Sequence, residues 1–493
     1  MKTYKKIIGL LILTLFFQVA LLATNRVTTD FGDAWKFRKT ALSSSAPNFD
    51  DSAWETVRIP HTWNAFDAQD GGGNYARTTG WYRKKIMWND AFTGKRVYLE
   101  ALAASLKADC YVNGTLIYTH KGGYNAFRFD ITDFLSTSGE TTIAIKVDNS
   151  KIDDIAPLSG DFSFIGGLYR KIFLVIADPV HVDLDDCGSN GLYLTTTEVS
   201  SVSAKLEIRA KVVNQSSIDK TVDLKAVLKN PDTFDAIPQI SNPRFDKATM
   251  HPGGEVAKVQ EANITIPAGG SYEFKKQIIV NNPHLWDGME DPYRYCVDFT
   301  INEGSLTLDA VSDYVGFRYF YADDTGFYLN GRLYPLRGVN RHQDWKDMGY
   351  AVTENEHNID FGMIYEIGAN TVRMAHYPQD PYFHELFDRY GIIVWVEIPF
   401  VDKPGNNREA FWETTKLQLK EMIRQRYNRP SIIFWGLQNE VSTSTYNDIM
   451  PAKMAEWHAF VKEEDPTGRL TAQAQAGTER PGWTTDVFGQ NRY

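Results

Sequence analysis

Cysteine is scarce in this chain. Cys110, Cys187 and Cys296 stand far apart in 493 residues and form no C-x-x-C pair, which argues against a disulfide framework and a thiolate zinc site. Basic residues never gather in a block of five or more, and the net charge is −10. Neither nucleic acid nor an anionic membrane surface is therefore an expected partner. Apolar runs long enough to span a bilayer are absent beyond the first two dozen residues. What the chain has in excess is aromatic residues, 13% in all, with 12 Trp, 25 Tyr and 28 Phe. Aromatic faces suit the C–H faces of sugars, and large sandwich cores use the same residues. At roughly 100–200 residues per domain, the length predicts three or four domains.

Lys2, Lys5 and Lys6 precede an apolar run from Ile7 to Ala23, interrupted only by Gly9, Thr14 and Gln18. This is the pattern of a secretory signal over residues 1–24, with cleavage near Ala23; a membrane anchor is the competing reading. The mature chain is expected to be exported to periplasm or medium and to leave the membrane after cleavage.

Residues 25–180 carry short alternating stretches, among them Arg96–Glu100, Ala108–Val112, Thr142–Val147 and Lys171–Ile176. Asn113-Gly114 between two such stretches signals a hairpin, since both residues tolerate positive φ. The region is expected to be an all-β jelly-roll sandwich. A second set runs through residues 181–318, including Lys205–Val212, Thr221–Leu228, Ala262–Ile266, Glu273–Val280 and Tyr293–Ile301. Its spacing predicts an immunoglobulin-like β-sandwich. Within 319–493 the pattern becomes strand–helix alternation: Tyr334–Val339, Thr371–Met374, Ile392–Val396, Ile432–Leu437, Leu470–Ala474 and Asp486–Gly489, separated by helices near Glu354–Ile367, Pro381–Tyr390, Arg408–Arg426 and Tyr446–Glu464. Continuous apolar strands covered by helices predict a parallel sheet. A (β/α)8 TIM barrel is the leading form, incomplete here because six strands are found where eight are needed.

In such barrels chemistry sits at the C-terminal strand ends. Those positions carry Asn340-Arg341-His342, Arg373 with His376, Glu397, Asn439-Glu440, and Asn491-Arg492-Tyr493. A single rim glutamate is commonly a salt-bridge partner, and Arg341 reads as structural, but polar groups from five strands converge on one rim. Glu440 follows the apolar strand Ile432-Ile433-Phe434-Trp435. A carboxyl beside aromatic surface loses hydration, which raises its pKa and suits it to proton donation. Sugar hydrolysis requires a second carboxyl opposite.

Three motifs then resemble glycoside hydrolase family 2, the family of β-galactosidases, β-glucuronidases and β-mannosidases. They are Asn370-Thr-Val-Arg-Met-Ala-His-Tyr-Pro378 with Asp388-Arg-Tyr-Gly-Ile-Ile-Val-Trp395, Asn428-Arg-Pro-Ser-Ile-Ile-Phe-Trp-Gly-Leu-Gln-Asn-Glu440, and Gly338-Val-Asn-Arg-His342. Met374 stands where a small residue is usual. Upstream, Pro60-His-Thr-Trp63, Gly80-Trp-Tyr82, Asp130-Ile-Thr132, Gly160-Asp161 and Gly167-Leu-Tyr-Arg170 resemble the family's sugar-binding domain. Pro283-His-Leu-Trp286 and Gly316-Phe-Arg318 resemble its middle domain.

The resemblance implies a retaining exo-β-glycosidase with Glu440 as acid/base and Asn439 at the sugar 2-hydroxyl. His342 and His376 would line the sugar subsite, and Asp161 would reach a distal hydroxyl. Arg373 would orient neighbouring carboxylates, Glu397 among them, and Tyr493 would lie near the nucleophile. The nucleophilic glutamate is expected beyond this sequence, on a seventh strand, and Glu397 is not nominated for it. β-Galactose is the favoured sugar, a β-glucuronide or other uronide the alternative, and a non-catalytic sugar-binding fragment the third reading. No cofactor is implied. Where the best-known β-galactosidases place a magnesium-binding Glu and His, this chain has Val401 and Lys403, neither offering the anionic oxygen that Mg²⁺ prefers. No metal is expected there. An oligosaccharide or glycoside is the expected partner, and a homo-oligomer is compatible with the resemblance.

Overall fold

The computed structural model describes residues 26–231, 254–441, 443–446, 448–476 and 484–492. The expected signal segment and Tyr493 lie outside the described residues. Two β-sandwiches precede a parallel strand–helix region, the architecture expected from the sequence.

The first sandwich pairs a sheet of Val27–Asp30, Ile172–Ala177, Arg96–Ala101 and Phe127–Asp130 with a second sheet centred on Thr79–Met87 and Glu140–Asp148. Alternation along these strands sends Val97, Leu99, Ile143, Ile145 and Val147 into one core with Trp35 and Tyr82, as period-2 patterning demands. Asn113 and Gly114 both take positive φ, 49° and 85°, and turn the chain between Lys107–Val112 and Thr115–Lys121. The second sandwich closes Leu206, Ile208, Val212, Leu224, Phe274, Val297 and Phe299 between its two antiparallel sheets.

The third region forms a six-stranded parallel sheet in sequential order: β1 (Gly338–Arg341), β2 (Thr371–Met374), β3 (Ile393–Glu397), β4 (Ile432–Asn439), β5 (Leu470–Ala476) and β6 (Val487–Asn491). Helices α1 (Glu354–Glu366), α2 (Pro381–Tyr390), α3 (Arg408–Gln425) and α4 (Met450–Glu464) lie in the connections. Local signals set their limits. Thr353 and Glu356 form a capping box at α1, and Asp380 caps α2 ahead of Pro381, each satisfying amides that lack an intrahelical partner. Gly391 ends α2 at φ 73°.

The structure revises two of the expected elements. The first barrel strand is Gly338–Arg341 rather than Tyr334–Val339. Tyr334 instead belongs to an apolar plug with Trp286, Phe327, Leu329, Ile433 and Phe434, built on a small antiparallel sheet of Phe320–Asp323, Gly326–Leu329 and Arg332–Leu333. Its hydrophobicity serves the plug rather than the parallel sheet, and Pro335 has no N–H to give a ladder. The last long helix begins at Met450, with Pro451 in its first turn, rather than at Tyr446, because a proline is tolerated only there.

Beneath the strand ends, Asp465 and Arg469 form a fully enclosed ion pair at 2.8 Å. Asp465 also accepts from the Trp435 indole at 2.8 Å, and Arg469 donates to the carbonyls of Ile432, Tyr427 and Arg429. Removing one partner of a buried pair strands the other charge. Asp465→Ala is expected to lower unfolding free energy by about 3–5 kcal/mol in denaturant titrations. A loss under about 1 kcal/mol would contradict this account of the packing.

Candidate active site

β2 alternates. Val372 and Met374 enter the core shared with the helices, which leaves Arg373 on the other face, its guanidinium 5.1 Å above the Trp395 ring. Arg373 is the hub of the site. Its Nε and Nη2 each donate to Glu397 at 3.0 Å, Nη2 also donates to Asn439 Oδ1 at 2.8 Å, and Nη1 donates to Asn491 Oδ1 at 3.3 Å. One planar cation therefore ties the ends of four strands, β2, β3, β4 and β6, using the fork geometry only arginine offers.

Glu397 is fully buried and accepts from His376 Nδ1 at 2.5 Å as well as from Arg373. Burial alone would push its carboxyl up. The Arg373 charge and the hydrogen bonds from His376 and Arg373 outweigh it and hold the group below the ordinary glutamate range. Gly436 makes room for it, since a Cβ there would come within 2.3 Å of the Glu397 Cβ.

His376 and His342 face each other edge-on, ring centres 5.4 Å apart. Phe162, from a loop of the first sandwich, packs against both imidazoles at 6.0 and 5.3 Å and against Tyr377 at 5.4 Å. The Tyr377 hydroxyl lies 3.2 Å from His342 Nδ1. Burial, reinforced by His376 and opposed by Asp344, Asp161 and Glu397, pulls His342 below the ordinary histidine range. Asp161 itself is exposed at the tip of the loop that carries Phe162.

Asn439 is buried, and Glu440, half-buried, follows it in the left-handed region at φ 52°. Asn491 Nδ2 donates to Asn439 Oδ1 at 2.9 Å and to Glu440 Oε1 at 2.6 Å. The aromatic surface expected beside Glu440 is elsewhere. Phe434 packs in the basal plug and Trp435 in the helix-side core, so neither ring strips water from Glu440.

The structure thus brings His342, Arg373, His376, Glu397, Asn439 and Glu440 to one end of the sheet and sets Asp161 above them. Sequence reasoning overlooked Phe162, Tyr377 and Trp395, and left Asn491 without a role. Asn491 had a signal, its place in the Asn-Arg-Tyr segment; Phe162 had none beyond its adjacency to Asp161. Arg341 is structural as expected, paired with Asp360 and Gln379. Among the described residues no group of three or more His, Cys, Asp or Glu side chains is placed to share a metal ion.

A parallel strand–helix sheet with carboxylates and imidazoles at the C-terminal ends of its strands has its polar groups where barrel enzymes place their chemistry. Three consecutive family models match: glycosyl hydrolases family 2, sugar binding domain, over residues 38–178; glycosyl hydrolases family 2 over 190–318; and glycosyl hydrolases family 2, TIM barrel domain, over 321–480. The beta-glucuronidase of Bacteroides fragilis is 35% identical over 444 residues, which is 89% of this chain and 60% of that protein. The solved structure of Bacteroides uniformis beta-glucuronidase 2, covalently bound to cyclophellitol-6-carboxylate aziridine, superposes with a TM-score of 0.87 at 36% identity, covering 95% of this chain and 55% of that one. A putative beta-galactosidase from Bacteroides fragilis gives a TM-score of 0.86 at 33% identity, covering 95% and 67%. The chain belongs to glycosyl hydrolase family 2 and spans little more than half the length of the first two of these relatives.

Because the folded-state pKa of Glu397 is depressed, the group contributes stability that is fully present above its unfolded value, near 4.5. That stability is lost as pH falls through the lower folded value. Urea unfolding followed from pH 6 to 2 should therefore show an acid limb that flattens in Glu397→Gln. An unchanged limb would refute the assignment.

Proposed function

We propose that the protein serves as a retaining exo-β-glycosidase, with Glu440 donating a proton to the departing glycosidic oxygen and later activating water as a base. One observation supports this most strongly. The Arg373 network presents the Asn439–Glu440 end of β4 on the same rim as His342 and His376, under a loop of the first sandwich. Asn439 is proposed to meet the sugar 2-hydroxyl, the two histidines to line the subsite, and Asp161 to reach a distal hydroxyl. Glu397 is unsuited to attack an anomeric carbon, being fully enclosed and held on both oxygens by Arg373. The attacking carboxylate is assigned to no residue of this sequence; the family resemblance puts it, with Tyr493 nearby, on a following strand. Attack would form a glycosyl-enzyme ester as the aglycone leaves with the proton from Glu440. Water would then release the sugar and return the proton.

For the sugar, a terminal β-D-glucuronide is the first reading, supported by the beta-glucuronidase names of the relatives at 35% and 36% identity. β-D-Galactose, favoured by the motifs alone, is the second and is supported by the similar putative beta-galactosidase. Export rests on Lys2–Ala23 alone.

Kinetics on phenyl β-D-glucuronide and phenyl β-D-galactoside, measured on the protein extended to include the following strand with the attacking carboxylate, test both parts. Glu440→Gln should lower kcat by about 10²–10⁴-fold on the preferred substrate, the usual range for a lost general acid. A loss of less than about threefold would remove Glu440 from the mechanism. A higher kcat/KM for the galactoside would exchange the two sugar readings, and turnover of either would dismiss a purely binding role.

A further inference from the structure

The segment after β3, residues 398–407, is held from two sides. On one side it meets the strand that carries the proposed acid/base. Asn439 donates its amide to the Phe400 carbonyl at 2.9 Å, and Asp402 donates its amide to the Asn439 carbonyl at 3.1 Å. On the other side it is attached to the first sandwich. The Ser159 hydroxyl donates to Asp402 Oδ2 at 2.9 Å. Asp153 accepts from the amides of Asn406 and Asn407 at 2.8 and 2.9 Å. Gly405 approaches so closely that a Cβ there would lie 1.9 Å from the Asp153 carbonyl oxygen.

Backbone conformation adds a second observation. Asp402 and Glu440 both occupy the left-handed region, at φ 61° and 52°. Aspartate tolerates that conformation, whereas glutamate holds it at a cost and only where its surroundings over-determine it. The two left-handed residues are joined through one peptide, since the Asn439 carbonyl that receives the Asp402 amide belongs to the Asn439–Glu440 linkage.

We propose that Asp402 is a positioning residue, fixed by the Ser159 hydroxyl and fixing in turn the peptide that carries Glu440. The β-sandwich thereby sets the aim of the acid/base. The inference rests on the proposed role of Glu440. It also gives the Val401–Lys403 segment a function, since the Ser159–Asp402 hydrogen bond attaches it to the sandwich here.

A misaimed proton donor has a specific signature. Poor leaving groups need protonation and suffer, whereas good ones depart without it. In the protein extended to include the attacking carboxylate, Ser159→Ala and Asp402→Ala should each lower kcat/KM for phenyl β-D-glucuronide about tenfold while changing that for 2,4-dinitrophenyl β-D-glucuronide less than about twofold. The corresponding galactosides are run in parallel. Asp402→Asn should recover most of the loss, because its amide oxygen can accept from Ser159 and asparagine tolerates positive φ. Equal losses on both leaving groups, or no loss on either, would overturn the inference. Glu440→Gln separates the two claims. If it lacks leaving-group selectivity, the reading of Glu440 fails; if it shows selectivity that Ser159→Ala and Asp402→Ala lack, the Asp402 inference alone fails. Amide hydrogen exchange decides the matter independently of turnover. Ser159→Ala should speed exchange of residues 438–441 at least about fivefold and leave Thr371–Met374 unaltered. Unchanged protection of 438–441 would refute the linkage.

Discussion

The pairing of Arg373 with Glu397 is the constraint on which the site depends. A carboxyl wholly removed from water stays ionised only if a cation and good hydrogen-bond donors replace its hydration. Arg373 and His376 do so. The same guanidinium then has donors left for Asn439 and Asn491, and Asn491 passes the order on to Glu440. Short apolar strands fix the backbone, while this polar network fixes the groups at their ends. The Trp395 ring beneath the guanidinium adds a cation–π contact on its remaining face.

The first sandwich is part of the site as well as a neighbour. Its Arg170 reaches the Gln343 side chain and the Pro378 carbonyl, both at 2.8 Å, just beyond β1 and β2. His120 and Asn125 meet Glu421 and Gln418 on α3. These contacts hold the loop of Ser159, Asp161 and Phe162 over the strand ends. A sandwich joined only by a tether could not present Phe162 to two imidazoles within about 6 Å, as it does here.

Much of this was legible in the sequence because periodicity and caps act locally. Pro381–Tyr390 is bounded by an aspartate cap and a glycine stop, and Asn113-Gly114 requires a turn, so both appear where expected. The strand-end residues were legible because a parallel sheet brings the ends of all its strands to one rim. Relations between distant segments were not. Tyr334 looks like a strand residue until Trp286 and Phe434 are seen around it. Phe434 and Trp435 look like neighbours of Glu440, yet they serve the plug and the helix-side core. Phe162 gains its meaning only from docking of the sandwich.

The order of the strand ends rests most directly on the coupling between Arg373 and Glu397. A double-mutant cycle in urea, comparing Arg373→Met, Glu397→Gln and the pair, measures it. Coupling of about 2 kcal/mol or more is predicted, with the double variant more stable than the sum of single losses implies. Additivity within about 0.5 kcal/mol would mean that the two groups do not sustain each other, and the network built on them would lose its basis.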